Sequence, residues 1–208
     1  MSVFVKICGL TREEDIQNAA EAGADYVGFV LTEKSRRYVS MARLEVLSHF
    51  VPKQVSKVGV FVDAPLEYIA ESVYRGELNV IQLHGNENAE FAKRVQSLFP
   101  HCEIWKAVHL NSREVISQLI EFPVKKLIAD SKIGGSGKVC DWSLVREISE
   151  KKDIILAGGI TPENAIKALI QTRSCGLDIS TGVEISPGIK SKEKMLNLFK
   201  RIKNFRYE

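Results

Sequence analysis

Short apolar, β-branched runs recur along the whole chain, and each is followed by a stretch with helical apolar spacing. The runs are Val3–Cys8, Tyr26–Leu31, Lys57–Val62, Val80–His84, Glu103–Val108, Lys126–Asp130, Ile154–Ala157 and Leu177–Ser180. Stretches such as Leu66-Ile69-Ala70-Val73 and Ala165-Ile166-Leu169-Ile170 place apolar residues three and four apart, the period of a helix with one buried face. Strands that alternate with helices pair in parallel, because each crossover carries the chain back to the same edge. Eight such units in 208 residues leave 26 residues apiece, enough for a strand, a helix and two short loops. The expected architecture is therefore α/β: one (β/α)8 TIM barrel of near-minimal length spanning 1–208. An open doubly wound sheet is the alternative, but the dinucleotide fingerprint that would favour it is missing.

Helix-start signals set the phase of this pattern. Thr11-Arg12-Glu13-Glu14 reads as a capping box, Thr161-Pro162 as a cap followed by proline at the first helical position, and Asp141 as a cap after the sixth strand. These signals mark where each strand ends, and in a (β/α)8 barrel chemistry gathers at the C-terminal strand ends.

Composition narrows the function classes. The 29 Lys and Arg nearly balance 26 Asp and Glu, both signs are spread along the chain, and no basic stripe suggests a nucleic-acid partner. No apolar run reaches the ~18–20 residues of a membrane span, and no basic-then-apolar leader opens the chain, so a cytoplasmic location is expected. Cys8, Cys102, Cys140 and Cys175 are scattered, without metal-ligand spacing, and read as free thiols. No exposed interaction face stands out, so a monomer acting on a small molecule is expected. The slight positive excess would favour an anionic one.

The strand ends, in order, carry Cys8-Gly9, the loop Lys34-Ser35-Arg36-Arg37-Tyr38, Asp63, Gln82-Leu83-His84-Gly85, His109, Asp130, Gly158-Gly159 and Ser180-Thr181-Gly182. Glycines and hydroxyls after strands seven and eight suit a phosphate group, since backbone N–H groups can approach it closely there. Gly134-Gly135-Ser136-Gly137-Lys138 is not a nucleotide loop, because that pattern requires Gly at 132 and Ser or Thr at 139, where this chain has Lys132 and Val139. A lid over a ligand is the better reading. Cys8 and Asp130, ending strands one and six, could face one cavity as a general base and general acid. A helix starting just after Cys8 would favour its thiolate.

Five segments together carry a family resemblance over essentially the whole chain. They are Val5-Lys6-Ile7-Cys8-Gly9-Leu10-Thr11, Gln82-Leu83-His84-Gly85, Gly134–Lys138 with Asp141-Trp142, Ala157-Gly158-Gly159-Ile160, and Ser180-Thr181-Gly182-Val183-Glu184. In this order they resemble the phosphoribosylanthranilate isomerases of tryptophan biosynthesis. The resemblance implies an Amadori rearrangement of N-(5-phosphoribosyl)anthranilate to 1-(2-carboxyphenylamino)-1-deoxyribulose 5-phosphate, with neither metal nor cofactor. It implies Cys8 as general base and Asp130 as general acid. It also implies Arg37, rather than Arg36, on the anthranilate carboxylate. Gly135, Gly158, Gly159, Ser180, Thr181 and Gly182 are then substrate-binding positions. His84 either contacts the substrate or orients its loop.

Two other readings compete. The related barrel isomerase of histidine biosynthesis uses two aspartates as acid and base, which Cys8 argues against. A non-catalytic barrel binding a phosphorylated metabolite would lack an acid or a base, and neither is missing here. Strand parity adds one expectation. Side chains alternate across a strand, so Cys8 at the mouth puts Lys6 inside the barrel, and Ser180 does the same for Asp178. Barrel closure makes strands one and eight neighbours, so Lys6 and Asp178 should pair, because a buried charge needs a partner.

Overall fold

The computed structural model describes residues 3–110, 112–130 and 141–207. Eight parallel strands close into a barrel in chain order: β1 (Phe4–Cys8), β2 (Tyr26–Val30), β3 (Ser56–Phe61), β4 (Val80–Leu83), β5 (Glu103–Val108), β6 (Lys126–Asp130), β7 (Ile154–Ala157) and β8 (Gly176–Ile179). Helices α1 (Glu13–Ala22), α2 (Met41–Ser48), α3 (Leu66–Gly76), α4 (Ala89–Leu98), α5 (Ile116–Ile120), α6 (Trp142–Ser149), α7 (Ala165–Thr172) and α8 (Lys192–Ile202) follow the eight strands in turn. Between β8 and α8 the chain adds a 3-10 turn, Thr181–Val183, and a small antiparallel pair, β9 (Glu184–Ser186) with β10 (Ile189–Lys190). The expected rhythm is thus the observed one among the described residues, with the 3-10 turn, β9 and β10 as additions to it. Among the described residues no helix is long and apolar enough to cross a membrane.

Two cores follow from the two faces of each strand. Outward-facing residues such as Val5, Ile7, Val27, Phe29, Leu127 and Leu177 pack against the helices. Helix α3 buries Ile69, Ser72, Val73 and Gly76, and α7 buries Ala165, Ala168, Leu169 and Thr172, both at the i, i+3, i+4, i+7 spacing of one face. The phase of α7 differs slightly from the sequence reading, since Ile170 is exposed.

The barrel interior is layered. Phe4, Tyr26 and Trp105 stack edge-on at its floor, with centroids 5.1 Å apart for Phe4–Tyr26 and 4.9 Å for Tyr26–Trp105. The Lys126 ammonium lies 5.4 Å from the Trp105 ring centre and pairs with Glu103 at 2.6 Å. Gly176 makes room for this layer, because a Cβ there would sit 2.5 Å from the Phe4 ring. Above the floor, Lys6 and Asp178 face each other in register and pair at 2.8 Å, as parity requires.

Two of the helix-start signals act differently from the expectation. Helix α1 begins at Glu13 with Arg12 as an uncapped N-cap, and the Thr11 hydroxyl donates to the Gly188 carbonyl at 2.6 Å. A tertiary acceptor has displaced the local one. Helix α7 starts only at Ala165. Ahead of it, Thr161 N–H donates to Asn164 Oδ1 and the Asn164 amide donates to the Gly159 carbonyl, so Thr161-Pro162 forms a turn that ties the helix to the β7 end. Asp141 does cap α6, accepting from Ser143 N–H at 2.8 Å.

Trp105 is fully buried as the largest side chain of the floor. Trp105→Ala should lower the unfolding free energy by about 3–5 kcal/mol in urea titrations, the range for deleting a buried aromatic. A loss below about 1 kcal/mol, the size of an average substitution, would show that the aromatic layer does not support the floor.

Candidate active site

A cavity of about 320 Å³ opens at the C-terminal mouth of the barrel. Cys8, Arg37, His84, Asp130, Gly158, Gly159, Ser180 and Thr181 all line it. Gly182 does not. Its Cα faces the Ile160 carbonyl so closely that a Cβ would lie 1.8 Å from the oxygen, so it serves the approach of the β7 and β8 loops. Gly135, the segment expected to form a lid and Cys140 lie outside the described residues. Cys8, Cys102 and Cys175 are free thiols. Arg36 is exposed and away from the cavity, while Arg37 is partly buried in its wall.

Cys8 ends β1 and lines the cavity. Gly28 on β2 faces it across the register, and a Cβ on Gly28 would come within 2.9 Å of both Cys8 Sγ and Lys6 Cε. The absent side chain gives both neighbours their space. Burial pushes the Cys8 thiol above its ordinary value, Lys6 and Lys190 oppose this, and Asp178 adds to it. Helix α1 begins five residues beyond Cys8, and the largest influence on the thiol is burial, which disfavours the thiolate. Beneath Cys8, burial works against the Lys6 charge, but Asp178 and Cys8 together outweigh it and hold the ammonium above its ordinary value.

A chain of polar contacts crosses the barrel to the other reactive strand end. Lys6 Nζ donates to Gln82 Oε1 at 2.8 Å, Gln82 Nε2 lies 2.9 Å from His84 Nδ1, and His84 Nε2 lies 3.4 Å from Asp130 Oδ2. The loop carrying His84 is braced from below. Lys106 Nζ donates to the Gly85 carbonyl and pairs with Glu87, which in turn accepts from the backbone N–H groups of Asp63 and Gly85. A Cβ on Gly85 would meet Asp63 Oδ1 at 2.4 Å, which accounts for glycine after His84.

A second buried cluster holds the opposite rim. Arg37 donates from Nε and Nη2 to the two Glu184 oxygens at 2.7 and 2.6 Å. Glu184 also pairs with Lys190 at 2.9 Å, and Lys190 donates to the carbonyls of Cys8 and Ser180. Against the cost of burial, Arg37 and Lys190 hold the Glu184 carboxyl well below its usual range, at about 2. Glu184 and Lys190 were not singled out from the sequence. Glu184 stood inside a recognised segment, but its partner depends on a hairpin that brings residue 190 under residue 8, and local patterning carries no sign of that.

A closed (β/α)8 barrel with a thiol, a carboxyl and a guanidinium around one mouth cavity defines a barrel enzyme that acts on a small anionic molecule. The model of the family described as N-(5′-phosphoribosyl)anthranilate (PRA) isomerase matches residues 5–201. The isomerase of Thermotoga neapolitana is 38% identical, over 97% of this chain and 98% of the relative. That of Clostridium kluyveri is 39% identical, over 98% of this chain and all of the relative. The crystal structure of the Thermus thermophilus enzyme superposes with a TM-score of 0.88 at 36% identity, covering 98% of this chain and 100% of that one. A further solved member, in complex with reduced 1-(o-carboxyphenylamino)-1-deoxyribulose 5-phosphate, gives a TM-score of 0.87 at 32% identity, again over 98% and 100%. The chain belongs to the N-(5′-phosphoribosyl)anthranilate isomerase family, and it is an isomerase of tryptophan biosynthesis.

The Glu184 cluster gives a pH-dependent prediction. A carboxyl held at about 2 when folded and near 4.5 when unfolded stabilises the protein fully above pH 4.5, and the contribution drains away as pH falls towards 2. At neutral pH it is on the order of 3 kcal/mol by the linkage relation. The gap in unfolding free energy between the parent and Glu184→Gln should therefore be wide at pH 7 and markedly narrower at pH 3. A gap independent of pH would refute the ionic account of this cluster.

Proposed function

We propose that Asp130 and Cys8 are the general acid and general base of the Amadori rearrangement, with the substrate laid across the mouth between them. The carrying observation is the order of residues round the rim. Strands β7 and β8 lie between β6 and β1, so the Gly158-Gly159 and Ser180-Thr181 ends stand between Asp130 and Cys8. A sugar phosphate anchored there has its ribose between the two groups. On the far side of β1, Val30, Val60 and Val62 give an apolar wall beside Arg37, which suits an aromatic ring bearing a carboxylate. The solved relative that carries a reduced carboxyphenylamino-deoxyribulose phosphate supports the same class of ligand here.

In this scheme Asp130 gives its proton to the furanose ring oxygen as the C1′–O bond breaks, and the amine lone pair forms the C1′=N iminium. Cys8 then removes the C2′ proton. The C–H electrons become the C1′=C2′ double bond and neutralise the iminium, giving an enolamine that tautomerises to the ketoamine. Burial keeps the Cys8 thiol neutral in the free protein, and the iminium cation formed beside it favours the thiolate when it is needed. Arg37 meets the anthranilate carboxylate with Nη1 and the second Nη2 proton, because Glu184 occupies the Nε edge of its fork.

The decay of anthranilate-derived substrate fluorescence tests these roles. Cys8→Ser and Asp130→Asn should each lose at least ~10²-fold in kcat, the scale of general acid–base catalysis, with an unchanged circular dichroism spectrum. Arg37→Lys should raise KM more than it lowers kcat. Full activity in Cys8→Ser or Asp130→Asn would remove that residue from its role.

A further inference from the structure

We infer that Lys6 and Gln82 are positioning residues that hold His84 in its neutral, Nε2-protonated tautomer, so that Asp130 faces a neutral donor and can keep its acidic proton. The inference deepens the proposed role of Asp130 and rests on it.

The argument begins with donor and acceptor capacity. An ammonium has only donors, so the Lys6 Nζ contact must be to the oxygen of the Gln82 amide. Lys6 is fully buried and is anchored on its other side by Asp178, so it cannot swing away to release the amide. With Oε1 committed, the Gln82 NH₂ faces His84 Nδ1 at 2.9 Å, and Nδ1 must accept. A proton on Nδ1 would point at the amide hydrogens. The imidazole therefore carries its single proton on Nε2, the nitrogen 3.4 Å from Asp130 Oδ2. Catalytic hydrogen bonds are often this long before a ligand closes the site.

The consequence concerns charge. An imidazolium beside Asp130 would stabilise the carboxylate strongly and strip the acid of the proton it must donate. A neutral Nε2–H can still steady the carboxylate once that proton has left, at a smaller cost to the protonated form. Gln82 therefore acts through His84, and Lys6 acts through Gln82. The titratable groups that face His84 within this chain of contacts are Asp130 at its Nε2 side and, through Gln82, Lys6 with Asp178.

The test reads the imidazole nitrogens directly in ¹⁵N-labelled full-length protein, with His84 assigned by the signal lost in His84→Asn. Parent protein at pH 7 should show an unprotonated Nδ1 and a protonated Nε2. Gln82→Glu offers Nδ1 an acceptor, so Nδ1 should become protonated, and kcat should fall by about tenfold to a hundredfold with KM within about twofold, less than the loss of a whole acid or base group. Gln82→Met removes the restraint without reversing it and should give a mixture of tautomers with an intermediate kcat. A parent Nδ1 that is protonated, or unchanged nitrogen signals in both variants, would overturn the tautomer lock. Altered tautomers with unchanged kcat would overturn its link to catalysis. Full activity in Asp130→Asn would instead sink the acid assignment and leave the nitrogen signals of the parent untouched, so the two failures are distinguishable.

Discussion

The buried pair between Lys6 and Asp178 is the contact on which most of the site depends. Two unlike charges lie inside the barrel beneath the cavity, 2.8 Å apart, on the two strands that close it. Removing either partner would leave an uncompensated charge in a medium that tolerates none. Loss of one partner would therefore penalise the closed barrel, in which Lys6 and Asp178 stand in register on β1 and β8. Lys6 also has a donor to spare, and that donor orients Gln82. Its charge opposes the effect of burial on Cys8. Barrel closure and the arrangement of reactive groups thus share one interaction.

The interior divides its work by height. Aromatic rings with the Lys126 stem fill the floor, an ionic layer occupies the middle, and the groups that line the cavity stand on top. The ionic layer lets polar side chains at the mouth be anchored from beneath as well as by their loops. This matters in a barrel whose units are short, because loops of a few residues have little packing of their own. The Glu184 cluster does the same at the rim, tying the ends of β1 and β8 to the β2 loop through Lys190 and Arg37. Gly28 and Gly182 show the complementary device. Each omits a side chain where two elements must come closer than a Cβ allows.

Much of this was legible in the sequence, and the reasons are physical. Strand and helix positions follow from apolar periodicity, which is a property of the chain itself. Parity along β1 and β8 put Lys6 and Asp178 on the inner face of neighbouring strands, and the observed register sets them side by side. The capping box at Thr11 failed for the opposite reason. Its local hydrogen bond competed with an acceptor 177 residues away, the Gly188 carbonyl, and lost. The raised thiol of Cys8 was not legible either, because its largest cause is burial, which packing sets.

By itself the sequence determined the eightfold strand–helix order, the residues presented at each strand end and the family to which the chain belongs. These depend on side-chain identity and on spacing within a few residues. Only the tertiary structure decided which of those residues share one cavity, that Glu184 takes half of the Arg37 fork, that Lys190 reaches under Cys8, and that Gln82 links Lys6 to His84. Each of these is a contact between distant strands, and its energy depends on distance and burial that exist only once the barrel has closed.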